Sequence, residues 1–379
     1  MAGDWRFLAQ PLTGTGTEEP PFEVPFLSDV VITTRLAAPP SISARFPVEV
    51  LGMKDSSGRP RFQEWGTALY AEDPNEELYG GIIADSSFSG STWNIDAPGF
   101  SYYPKDQPYV LDDWWANVDP LALHAHIWAH LQSLPFGNLG VTLDGTTSPV
   151  RIGGETRQAE DGSTVPASFY DDTQEGPYRL AWWQTNDLGK VIDDLAEMTP
   201  FDWEEHHWWD GPQIRHGIRR GYPSIGERRT DARFEVGSNV RVVPEVKRAG
   251  GRYASNVLVL GAGEGRDRIA GDVAMNTGRP RRVAVVEEKG LTSNADAITR
   301  ARKESAERQG QLTVATLELT DHPNARIGHV KLGNEYPLVG NAGWVELDQW
   351  VRVVGITISP AKSDTIVVDV VSGETGGAQ

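Results

Sequence analysis

Carboxylates and imidazoles crowd residues 202–210, DWEEHHWWD. Asp202, Glu204, Glu205, His206 and His207 offer the groups from which acid–base catalysis or a metal site is built. Spacing decides whether they can act together. Read as a strand, the stretch sends successive side chains to opposite faces. Trp203, Glu205, His207 and Trp209 then share one face, and Asp202, Glu204, His206 and Trp208 the other. Acids and histidines are divided between faces, which describes a solvated or interface strand better than a catalytic cluster.

Residues 123–133, LHAHIWAHLQS, bring three more imidazoles. On a helix, positions two apart sit roughly 200° from each other, so His124 and His126 cannot easily share a metal. His126 and His130 are one turn apart and could. The zinc-protease helix motif, however, requires Glu directly after its first His, where Ile127 stands here. No nearby carboxylate completes a ligand set, and His130 lies close to the apolar stripe. It reads as a hydrogen-bonded, partly buried histidine.

Residues 256–266, NVLVLGAGEGR, run an apolar strand into Gly261, Gly263 and Gly265, with a second apolar run, 281–288, reaching Glu287. That outline suggests a dinucleotide loop with an acid for the ribose. The fingerprint needs a third glycine where Arg266 stands, and Glu264 would put negative charge beside a pyrophosphate. Gly271, Gly278 and Pro280 make poor helix material where a helix must follow. A glycine turn between strands explains the same letters, and no cofactor is expected. No G-x-S-x-G elbow occurs, and with no cysteine neither thiol catalysis nor a thiolate metal site is possible. Catalytic, cofactor and metal residues are therefore all expected to be absent, and the chain reads as a non-enzyme.

The elements that position these residues change type along the 379-residue chain. Residues 1–25 are rich in Gly, Thr, Pro and Glu and read as an extended arm. Residues 26–110 give short strands separated by turn chemistry, an antiparallel β domain. Residues 111–235 mix strands with two helices. The first opens on Asp119-Pro120, an N-cap followed by proline, with Leu123, Ile127, Leu131 and Leu134 at helical spacing. The second starts near Asn186, with Leu188, Val191, Ile192 and Leu195 on one face and Pro200 as its stop. Residues 236–372 return to strands, with one helix near 294–309 carrying a thin alanine stripe, and 373–379 read as a frayed tail. The fold class is α+β, mainly β.

Bulk numbers narrow the partners. A formal charge of −18 argues against a general phosphate-gripping surface. The N-terminus has neither a basic start nor an apolar core, so no signal peptide is expected, and no run is long enough to span a bilayer. Thirteen tryptophans, several in pairs, suit cores and interfaces or sugar stacking, and their lack of period favours the first.

An ordered series of segments carries a family resemblance. Residues 118–144 (VDPLALHAHIWAHLQSLPFGNLGVTLD), 180–209, 221–240, 253–268, 281–293 and 321–336 resemble, in the same order, tail proteins of siphophages that infect actinobacteria. The resemblance covers about residues 118–358, and the first β domain fits in type more than in letters. It implies a minor tail protein of the tail-tip or baseplate hub class, resident in the virion after assembly in the host cytoplasm. Such hubs resemble homotrimers, each chain carrying two tail-tube-like β-barrel domains. On that pattern the first barrel is 26–110, and the second combines 236–262 with 312–372, with 263–311 inserted. Implied partners are distal tail and tail-tube or tape-measure proteins above and a central fibre or spike below, with genomic DNA passing unbound. The alternative is a carbohydrate- or cell-wall-binding tail protein using tryptophans such as Trp208 and Trp209.

Overall fold

The computed structural model describes residues 5–373 apart from 17–18, 26, 56–57, 155, 159–163, 167–176, 200, 249–252, 264, 277, 289–290, 292, 309–311 and 363. The chain folds as α+β, mainly β, in two compact units. The larger comprises residues 1–242, 317–340 and 346–379, the smaller 243–316 and 341–345.

A seven-stranded sheet organises the larger unit, in the order Val141–Leu143, Gln213–Gly221, Asp202–Asp210, Leu78–Ile82, Thr67–Glu72, Arg6–Pro11 and Phe22–Glu23. Because strand side chains alternate, Arg6–Pro11 and Thr67–Glu72 feed two cores. Leu8, Ala68 and Tyr70 face helices α1 (Pro120–Ser133) and α2 (Leu188–Met198), against Leu123, Ile127, Trp128, Leu188, Ile192 and Leu195. Ala9, Leu69 and Ala71 face the other way, onto Ile32, Ile42, Phe46 and Trp93. Those residues belong to a nine-stranded sheet that joins the two ends of the sequence. In it Val345–Ile358 pairs antiparallel with Ser28–Arg35, Gly355 opposite Arg35 and Ile358 opposite Ile32.

Two expectations give way here. The 1–25 segment is not an arm throughout: Arg6–Pro11 pairs along its whole length with Thr67–Glu72, and Leu8 and Ala9 are buried. Its composition looked extended because its partners lie far along the chain. Nor do the terminal strands sort into one barrel each. They share the nine-stranded sheet, and among the described residues neither large sheet closes on itself. The first helix starts at the expected cap, Asp119 accepting from the Leu121 N–H at 3.0 Å; the second, expected from near Asn186, is capped by Asp187, which accepts from the Lys190 N–H at 3.1 Å. Pro200, the expected stop, and 374–379 of the expected frayed tail lie outside the described residues.

The smaller unit is a three-stranded sheet, Ala270–Ala274, Asn256–Leu260 and Val283–Glu287, under helix α3 (Asn294–Glu307). Asn256–Leu260 therefore pairs with its own neighbours, not with strands of 312–372 as the family resemblance implied. The alanine stripe has a use: Val257 and Val259 pack on Ala297 and Ala301. A Cβ on Gly271 would lie 2.3 Å from the Ala297 carbonyl carbon, so glycine lets helix and sheet approach this closely.

Candidate functional site

The Asp202–Asp210 strand has the face assignment its alternation predicts, but only one face is exposed. It turns back through Gly211, at φ +60°, and pairs residue by residue with Gln213–Gly221, setting His207 opposite His216. Trp203 is buried, and the Glu205 and His207 side chains are only 1% and 2% exposed. A solvated strand is thus the wrong description of the Glu205 face. The carboxylate accepts the Phe100 and Ser101 N–H groups, each at 2.8 Å. His207 Nε2 lies 3.1 Å from Glu205 Oε1, too oblique for a hydrogen bond, while its Nδ1 is 3.1 Å from His216 Nδ1. Two facing nitrogens need one proton between them. One ring therefore donates its Nδ1–H and the other accepts.

Aromatic rings close over the pair. Phe100 stacks on His216 at 3.8 Å between centroids, and Tyr70 lies nearly parallel to the same ring. Burial, then the charges of His207 and Arg215, hold His216 well below its ordinary value. Burial pushes Glu205 up, but His207 and the Ser101 N–H outweigh it and leave the carboxyl below its ordinary range. Glu205 and His216 approach opposite nitrogens of His207, so they form a chain and not a cage. Among the described residues no three His, Cys, Asp or Glu side chains converge for a metal. The sequence held His207 in view but not His216, which no local spacing links to it; only the hairpin register does.

On the opposite face Glu204 pairs with Arg219. Asp202 accepts the Ile225 N–H at 2.8 Å and the Arg352 guanidinium, which also donates to the Gly333 and Ile225 carbonyls. Trp209 Nε1 donates to Glu72 at 2.8 Å, and Trp208 stacks on His206 at 5.0 Å. Each group is spent on a neighbour within the fold.

The three histidines of α1 do not meet either. His124 is buried, its Nδ1 has no hydrogen-bond partner, and burial followed by the nearby Arg220 charge pushes it down to about 3. Arg220 is itself fixed, donating to Asp144 Oδ1 at 3.0 Å and the Leu121 carbonyl at 2.6 Å. His126 Nε2 is 2.8 Å from the Tyr109 hydroxyl, which also meets the Asp113 carboxylate. His130 is buried against the Tyr109 ring at 4.2 Å, with the Val110 N–H aimed at Nε2 from 3.4 Å.

The glycine loop leaves its strand as a turn. Asn256–Leu260 and Ala270–Ala274 are antiparallel, and among the described residues between them the only helix is the short turn Gly265–Asp267. Two N–H groups of the loop are bonded within the fold: Gly261 donates to Ile269 at 2.8 Å and Ala262 to Leu291 at 2.9 Å. A Cβ on Gly261 would lie 2.5 Å from the Leu291 oxygen, so that glycine serves a close backbone approach.

No protein-family profile matches the chain, and no curated protein matches it in sequence. Solved structures do. The 43 kDa tail protein of prophage MuSo2 from Shewanella oneidensis is similar with a TM-score of 0.56, over 97% of this chain and 98% of that one, at 13% identity. The prophage tail protein gp18 of Listeria monocytogenes EGD-e gives 0.55 over 98% and 95% at 9% identity. A tail protein from Neisseria meningitidis MC58 gives 0.53 over 98% and 97% at 12% identity. The chain shares its fold, end to end, with phage tail proteins.

Proposed function

We propose that this chain is a structural subunit of a bacteriophage tail, and within it the homotrimeric hub of the tail tip. Three copies would surround the tail axis, joining tail-tube and distal tail proteins above to a central fibre or spike below, with genomic DNA passing through. The observation that carries the reading is the fold match to tail proteins over nearly the full length of both chains. The interior supports it from another side. Glu205, His207, His216, Asp202 and Arg220 act as fixed internal ties, as a load-transmitting part requires. A charge of −18 suits a channel that must not hold DNA.

The paired tryptophans give the glycan-binding alternative little support. Trp209 is tied to Glu72, and Trp208 is spent on His206. Trp182 and Trp183 are exposed but meet edge to face at 86°, so they offer no common flat platform for a sugar. Negative-stain electron microscopy of the purified chain, alone and with its neighbouring tail proteins, tests the hub. Threefold rings with a central hole are expected. Isolated monomers that persist with the partners present would remove the hub and return glycan binding to first place.

A further inference from the structure

The strand Val283–Glu287 is an edge: among the described residues it pairs only with Asn256–Leu260. Natural edges are usually blunted by charge, proline or a bulge, because unpaired N–H and C=O groups are a template for another chain. This one is not blunted in its middle. Its outward face, opposite α3, carries Val283 at 44% and Val285 at 55% exposure, beside half-buried Leu258 and Leu260. Charge appears only at its ends, Arg281 before it and Glu287 at its close, both exposed.

Backbone geometry says which groups are free. The Arg282 carbonyl accepts from Asn256, and the Glu288 N–H donates to Leu260. Even-numbered residues therefore point their polar backbone groups into the sheet, and Val283, Val285 and Glu287 point theirs outward. An antiparallel partner must exchange bonds with those odd-numbered positions, and a twofold axis at Ala284 does this with the strand's own copy. Val283 then faces Val285 of the second copy, and Arg281 faces its Glu287, all on the face away from α3. A register centred on Val285 would instead set Val283 against Glu287. We propose that two copies of this chain join edge to edge through Val283–Glu287, antiparallel about Ala284. The joint forms about eight N–H···O bonds and two cross-strand Arg281–Glu287 pairs. A twofold joint cannot close a threefold ring, so this contact is separate from the proposed hub.

Charge reversal tests it on the full chain. By sedimentation velocity across a concentration series, Arg281→Glu and Glu287→Arg should each halve the mass of the parent species, and the double exchange should restore it. Glu287 also lies 3.4 Å from Arg268 of its own chain, which Arg281→Glu leaves intact, so the two single variants should behave alike. Hydrogen exchange supplies a second reading: amides of Val283, Val285 and Glu287 should be slow in the parent and fast in either single variant. If a hub ring forms, masses run in threes and the halving still reads; if none forms, a dimer becomes a monomer. A parent monomeric at every concentration, single reversals that leave mass unchanged, or a double exchange that fails to restore it would each overturn the joint.

Discussion

His124 shows how a residue fit for chemistry becomes a component of stability. Its ring is buried on α1, and the folded chain holds it at about 3 against an ordinary 6.5. Between those values the unfolded chain binds the proton and the folded chain does not, so stability is complete above about pH 6.5 and falls as pH drops through that window. Each pH unit of descent costs about 1.4 kcal/mol at this residue alone. His216, also held well below its ordinary value by burial, adds to the same slope. Glu205 acts lower: its depressed carboxyl contributes stability above its unfolded value and loses it only on acidification below that range. His124→Leu removes a buried ring nitrogen with no partner, so the variant should match the parent at neutral pH within about 1 kcal/mol. Its stability should also fall less steeply from about pH 6 to 4. Urea unfolding followed by circular dichroism measures both; parallel slopes for parent and variant would show that His124 is not held neutral.

At the scale of the element, α1 rests on one carboxylate. Asp119 caps the helix at Leu121 and also accepts the Ser148 N–H at 2.7 Å and its hydroxyl at 2.8 Å, pinning the loop that returns after the helix. Asp119→Ala should cost about 2–4 kcal/mol, a lost cap plus two stranded donors. Asp119→Ser, which can cap but cannot reach both Ser148 groups, should recover about 1 kcal/mol, read in the same denaturation assay. The cap was legible in the sequence because every signal for it is local: Asp119, Pro120 and the leucines that follow. Strand existence was legible for the same reason, and so was the turn at Gly261. Partners were not. Arg6–Pro11 finds Thr67–Glu72, and Ser28–Arg35 finds Val345–Ile358, across separations that no periodicity records. The candidate site failed at the same point: alternation placed Glu205 and His207 on one face, but only sheet order determines which face is buried.

For the whole molecule, the two units differ in how much holds them together. The larger packs an apolar core on each face of its Arg6–Pro11 and Thr67–Glu72 strands, with Trp93, Trp128, Tyr70 and Phe46 among its fully covered side chains. The smaller has five buried apolar residues at its centre, Ala254, Val257, Val259, Ala297 and Ala301, three of them alanines. Hydrophobic stabilisation scales with the apolar area removed from water, so a core of alanines and two valines contributes far less than one of aromatics and leucines. The smaller unit should therefore open first, as a cooperative block, while the larger stays folded. Hydrogen exchange under increasing urea should show the amides of Asn256–Leu260 and Ala270–Ala274 converging on a lower opening free energy than those of Thr67–Glu72. Ala297→Asp, which puts a charge where helix and sheet meet, should abolish protection in the first group and leave the second unchanged. One coincident transition for both groups, in parent and variant alike, would mean that the chain unfolds as a single cooperative whole. The Val283–Glu287 edge would then be as permanent a surface as the rest of the molecule.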